Sequence, residues 1–152
     1  MCIRDRLFNC TVYDEIAFGP RQLGLTEEKV SQRVQDTLSL LKIEDLRDRV
    51  PYQLSGGEKK KVAFASIMVT NPDVYILDEP FNNLSKEYEE FFRELLHELH
   101  SAGKTIIMSA HHFKHLHHEK ADVLLFEDGK ADFFPAQEVL NNQQVIERLS
   151  HY

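Results

Sequence analysis

What this 152-residue chain lacks narrows its function before any motif is read. No G-x-x-x-x-G-K-S/T stretch occurs, so the sequence has no glycine loop of the kind that cradles phosphates by itself. There are two cysteines, Cys2 and Cys10. Their spacing fits neither a metal knuckle nor a redox pair, so they are read as reduced thiols. No apolar run approaches the ~18 residues of a membrane span, and no signal peptide is read at the N-terminus. Positive charge is also short. The net charge is −7, which argues against a general nucleic-acid binder. Apolar residues make up 42%, a little under the usual globular share, so a core is possible but not generous. Neither internal repeats nor low-complexity segments are found.

What is present is a pair of stretches separated by about one helix and a turn. The first is Leu54-Ser55-Gly56-Gly57-Glu58-Lys59. Adjacent glycines let backbone approach a ligand with no Cβ in the way. Ser55 can cap the helix that follows, read as Glu58 to about Thr70. The partial positive charge and orphan N–H groups of a helix start stabilise an anion by about 0.3–2 kcal/mol. An ordinary Ser-Gly-Gly turn would look the same locally. The second stretch, Val74-Tyr75-Ile76-Leu77-Asp78-Glu79-Pro80, shifts the balance. Its unbroken apolar run suits a parallel strand buried on both faces. Ligands of open α/β sheets bind beyond the carboxyl ends of such strands. Asp78 is therefore the candidate magnesium holder. Glu79 is the candidate to orient or deprotonate a water. Alternation along the strand gives the two acids opposite faces and different tasks.

A second apolar strand, Thr105–Met108, follows the Ala102-Gly103-Lys104 turn and runs into Ser109-Ala110-His111. A histidine in that place can hydrogen-bond a phosphate oxygen or the attacking water; a plain surface histidine is the alternative.

These residues resemble the C-terminal half of an ATP-binding cassette (ABC) transporter ATPase over roughly residues 7–140. Leu54–Lys59 is similar to the family's signature motif, Val74–Pro80 to its Walker B strand and catalytic glutamate, and His111 to its switch histidine. Leu7–Pro20 resembles the segment after the Q-loop in energy-coupling-factor ATPases, which drive cobalt, nickel and vitamin importers. Ala121–Lys130 looks like the family's last strand pair, and Pro135–Leu140 like the short helix after it. The resemblance implies an α/β P-loop NTPase fold, in which a helical signature subdomain precedes the C-terminal half of a mostly parallel sheet core. It implies ATP and magnesium as cofactors and two ATPase subunits sandwiching two nucleotides. Leu54, Ser55, Gly56, Gly57 and Glu58 of one subunit would face the γ-phosphate held by the other. Asp78 would support magnesium, Glu79 would polarise water and His111 would sense the phosphate. A transmembrane subunit would be the docking partner, at the cytoplasmic face of the membrane, and no nucleic acid is expected.

The family's phosphate loop and Q-loop glutamine would fall at or before Met1. Met1–Arg6 fits nothing in the pattern and is read as a non-native seam from a truncated or misassembled reading frame, and without the phosphate loop the chain alone is expected to be inactive. Ser85 stands where the D-loop usually carries aspartate, and Glu58 where glutamine is commoner. The expected division is a leader at 1–6, a helical subdomain with the signature at 7–70, part of the nucleotide-binding core at 71–140 and a tail helix at 141–152.

Within that frame the periodicity predicts a short helix near Tyr13–Gly19. A capped helix begins at Thr26 with Val30, Val34, Leu38 and Leu41 on one face. A short helix over Ile43–Val50 is closed by Pro51. Ser85 caps a long helix over Lys86–Ser101, whose stripe of Phe91, Phe92, Leu95, Leu96 and Leu99 is core packing. Strands Val123–Phe126 and Lys130–Phe133 flank the Asp128-Gly129 turn. Apolar sheet surface is expected to lie exposed, which favours aggregation. The cluster His111, His112, His115, His117 and His118 reads as a solvated helix rather than a metal site, because no cysteine or carboxylate at ligand spacing accompanies it. Three rival readings stand beside the transporter. A DNA-repair ATPase would place long coiled coils before the signature. A translation-associated protein would carry two cassettes. A degenerate binding module would complete a partner's site.

Overall fold

The computed structural model describes residues 9–110 and 121–149. Its elements run α1 (Val12–Gln22), α2 (Glu27–Leu40), α3 (Gly56–Met68), β1 (Val74–Asp78), α4 (Lys86–Ser101), β2 (Thr105–Ser109), β3 (Val123–Glu127), β4 (Lys130–Phe134), α5 (Ala136–Asn141) and α6 (Gln143–Leu149). Three helices come first, and β1 and β2 then pair in a parallel sheet across the α4 crossover, as the α/β reading expects. The chain forms two compact units: one takes the residues up to Ile76 together with Asn82–Ile107, the other Leu77–Phe81 together with the chain from Met108 onward.

The first unit is built on α1, α2 and α3. Val12, Ile16, Ala17, Val30, Val34, Leu38, Leu41 and Val62 are all fully buried. The predicted face of α2 is thus the observed one. Thr11 caps α1 by accepting from the Asp14 N–H at 3.1 Å. Two further orphan donors of that helix, the N–H groups of Val12 and Tyr13, donate to the carbonyls of Arg49 and Arg47 at 2.9 Å each. Gly19 sets the helix spacing, since a Cβ there would lie 2.7 Å from the Thr70 Cγ2 after α3. At its far end α2 closes in a Schellman motif: Ile43 N–H donates to the Leu38 carbonyl at 3.0 Å and Lys42 N–H to Ser39 at 3.1 Å. Lys42 takes the left-handed backbone usually given to glycine, φ 54°. Its ammonium sits 4.9 Å from the Phe91 ring centroid on α4. An aromatic cluster ties α3 and α4 to β1: Phe64 meets Phe92 edge-on at 4.5 Å and Tyr75 at 6.0 Å.

Several local expectations need correction. The first helix does not stop at Gly19 but continues through Pro20 to Gln22. Thr26 occupies the N-cap of α2 without a side-chain capping bond. Ile43–Val50 is not a helix. It holds one 3₁₀ turn, Glu44–Leu46, and Pro51 opens a second, Pro51–Gln53, rather than closing the first. A proline is suited to a helical start because its missing N–H has no acceptor there. Most important, β1 is not buried on both faces. Tyr75 and Leu77 are buried, whereas Val74 and Ile76 are 48% and 74% exposed. A strand covered on one side alternates, however apolar its sequence.

In the second unit the β3–β4 hairpin turns at Asp128-Gly129, with φ of 49° and 74°. Positive φ at both central residues matches the twist of the strands. Val123 packs with Val139 and Val145 from α5 and α6, flanked by Leu125, Phe134 and Ile146. The opposite face pairs Leu124 with Phe133 and Phe126 with Ala131. Leu124, Phe126 and Phe133 are all exposed, so the expected uncovered apolar sheet surface is present.

Candidate functional site

The glycine pair opens α3. Ser55 is its N-cap, and the helix begins at Gly56, two residues before the sequence reading placed it. The Ser55 Oγ accepts from the Glu58 N–H at 3.3 Å, and a Glu58 carboxylate oxygen accepts from the Ser55 N–H at 2.8 Å. This capping box explains why a glutamate suits this position. The Ser55 hydroxyl and then its backbone N–H hold the Glu58 carboxyl below its ordinary range. Leu54, almost fully buried, anchors the turn. The box does not use the first-turn amides of Gly56 and Gly57. At Gly56 a Cβ would meet nothing within 4 Å, so the backbone is approachable from outside. Gly57 has another reason to be glycine: a Cβ would lie 3.3 Å from the Asn83 carbonyl. Asn83 is itself left-handed, φ 61°, in the Phe81–Ser85 loop. Ser85 then caps α4, accepting from the Tyr88 N–H at 3.3 Å.

The acids lie in the second unit. Asp78 is the last residue of β1. Glu79 is past it, with a left-handed φ of 45°, and leads into buried Pro80. Strand alternation therefore does not extend to Glu79, and the assignment of the two acids to opposite faces on that ground is corrected. A residue that the sequence reading missed joins them. Ser109, the end of β2, donates its hydroxyl to Asp78 Oδ1 at 2.5 Å and accepts from the Glu79 N–H at 3.1 Å. The available signal was a hydroxyl at the end of the strand that pairs with the acidic one.

Among the described residues no group of three or more His, Cys, Asp or Glu could hold a metal ion by itself. Magnesium does not need one. It prefers hard oxygen donors, dehydrates reluctantly and is commonly held by one or two carboxylates together with substrate phosphates. The Asp78 carboxylate, fixed by a hydroxyl, fits that requirement. His111 and the other histidines of its cluster lie outside the described residues.

The profile of the ABC transporter family matches residues 5–82, which take in both the capped glycine turn and the acidic strand end. The nickel import ATP-binding protein LarO of Lactiplantibacillus plantarum is 53% identical over 109 residues, 72% of this chain and 45% of that protein. The energy-coupling factor transporter ATP-binding protein EcfA of Carboxydothermus hydrogenoformans is 33% identical over 95% of this chain and 53% of its own length. Among solved structures, cbiO1 from Clostridium perfringens, part of the ABC transporter complex cbiONQ, superposes with a TM-score of 0.77 at 30% identity, covering 96% of this chain and 59% of that one. The chain spans about half the length of the curated relatives it matches. With one family profile covering more than half of its residues and its fold shared with a transporter ATPase, the chain belongs to the ABC transporter ATP-binding family.

Proposed function

We propose that this chain is the C-terminal part of an ATP-hydrolysing subunit that powers import through an energy-coupling-factor type transporter. The relatives named for nickel import and energy coupling support that class, and the nickel-import name favours a transition metal as cargo. No described helix is long and apolar enough to cross a membrane, and the partner in this reading is a membrane-embedded transporter subunit. The subunit would dock on it from the cytoplasmic face.

Ser55, Gly56 and Gly57 of one subunit contact the γ-phosphate of a nucleotide bound by a second ATPase subunit. Glu79 orients and polarises the attacking water, with His111 at the same phosphate. Asp78 holds magnesium, which when bound with nucleotide neutralises charge on the transferring phosphoryl group. The observation that carries this reading is the open face at Gly56, where a capped helix start presents bare backbone to a ligand arriving from outside the subunit.

In the complete subunit, Glu79→Gln should lower ATP turnover by about 10²–10⁴-fold, the usual worth of a positioned general base. ATP-driven pairing, followed by sedimentation, should survive. Undiminished turnover would remove Glu79 from the role.

A further inference from the structure

The geometry points to Ser109 as a positioning residue that locks the acid pair, an inference that rests on the reading of Asp78 and Glu79 as the hydrolytic acids. Its hydroxyl makes two bonds at once, donating to Asp78 Oδ1 and accepting from the Glu79 N–H. The three residues come from two strand ends that are far apart in sequence, so the contact exists only once β1 and β2 have paired. The two bonds act on different things. The bond to Asp78 fixes the rotation of the carboxylate that is to hold the magnesium. The bond from Glu79 ties down a backbone amide at a residue whose φ of 45° lies in a region that side-chain-bearing residues seldom occupy.

A non-glycine residue held there persists only where its surroundings fix it. Pro80 follows immediately and fixes its own φ, so the chain is restrained on that side. On the other side Glu79 leaves a regular strand. The Ser109 hydroxyl supplies a restraint at the point where the strand conformation ends. Without it the Glu79 peptide loses one of its restraints and can shift toward the extended region, which would swing the carboxylate away from the place at which it meets water. Ser109 touches neither nucleotide nor water in this scheme. It acts through the two acids.

Two variants separate the hydroxyl from the bulk of the side chain. Ser109→Thr keeps the hydroxyl, Ser109→Val copies the shape of threonine without it, and both β-branched residues suit a strand. On the 152-residue chain, hydrogen exchange of the Glu79 amide measured by NMR should be slow in the parent and in Ser109→Thr, and faster in Ser109→Val. In the complete subunit Ser109→Val should lower kcat by about three- to tenfold, as expected for one hydrogen bond. KM for ATP should stay unchanged, and the magnesium concentration for half-maximal nucleotide binding should rise. Ser109→Thr should restore all three. Equal amide exchange and equal kcat in Ser109→Val and the parent would overturn the assignment, as would a Ser109→Thr variant that falls with Ser109→Val. A Glu79→Gln control assayed beside them distinguishes the two levels. If it keeps full turnover, the hydrolytic reading fails while the amide measurement still judges the hydroxyl tie. If it is inactive and Ser109→Val matches the parent in kcat and in Glu79 amide exchange, the positioning role alone is lost.

Discussion

The helical part and the strands of this protein are finished to different degrees. In α1, α2 and α3 most apolar side chains are buried, Ile16, Val34 and Leu38 without any exposed surface, and one large apolar residue on each helix, Phe18, Leu40 and Ile67, stays exposed. In the strands, half of the apolar side chains remain open: Val74, Ile76 and Ile107 on β1 and β2, Leu124, Phe126 and Phe133 on the hairpin. A helix bundle buries its stripe against its own neighbours, so a short stretch of chain can complete it. A sheet has two faces and needs a layer on each. The lesson is that the stability of this chain should reside in the helices, while its tendency to associate should reside in the strands.

The largest expected effect tests that division directly. Leu38→Ala should cost about 2–5 kcal/mol, as buried leucine truncations do. Ile76→Thr keeps β-branching on an exposed strand position, so it should change stability by no more than about 0.5 kcal/mol while raising solubility. Urea unfolding of both variants, beside light scattering, measures the pair. Similar losses would mean that the β1 face is covered in solution and would break the contrast.

A smaller effect separates two glycines. Gly19→Ala brings a methyl within 2.7 Å of Thr70 Cγ2. Thr70 is β-branched and its hydroxyl already donates to the Ile67 carbonyl at 2.7 Å, so it has little room to turn away. The expected loss is about 1–3 kcal/mol. Adding Thr70→Ser, which deletes the offending methyl and keeps the hydroxyl, should recover most of it. Gly56→Ala meets nothing within 4 Å and should shift stability by less than about 0.5 kcal/mol. Thermal unfolding distinguishes the four proteins. A costly Gly56→Ala would mean that the glycine turn is structural and not kept open for a ligand.

That contrast also marks how far the sequence could be read. Val30, Val34, Leu38 and Leu41 were legible because helical periodicity is a local signal, and the Asp128-Gly129 hairpin because turn chemistry is. The capping role of Ser55 followed from its place before a helix. The partner Glu58 was seen only as standing where glutamine is commoner, not as the other half of a box. What stayed hidden depends on pairing between distant segments. Ser109 meets Asp78 and Glu79 only across β1 and β2, and Gly57 needs its missing Cβ only because the Asn83 loop folds back on it. One-sided burial of β1 was illegible for a different reason. An apolar run records what a strand is suited to be covered by, not which neighbours are there.

Even within the helical part, its rim should matter far less than its interior, and Glu58 measures by how little. The hydrogen bonds from Ser55 lower the Glu58 carboxyl pKa in the folded chain. Stability gained this way is fully present above the unfolded carboxylate range near 4.3 and fades as pH falls through the lower folded value. Glu58→Gln retains an oxygen to accept from the Ser55 N–H but cannot titrate. The charge sits on the first turn of α3, and the side chain is 31% exposed, so solvent screening keeps the benefit small. At pH 7 the parent should exceed Glu58→Gln by about 0.3 kcal/mol, and the gap should close by pH 3. Denaturant midpoints of the two proteins across that range read it directly. A gap that persists in acid would assign the difference to packing rather than charge, and the rim would then share in the stability that the contrast reserves for the buried helix faces.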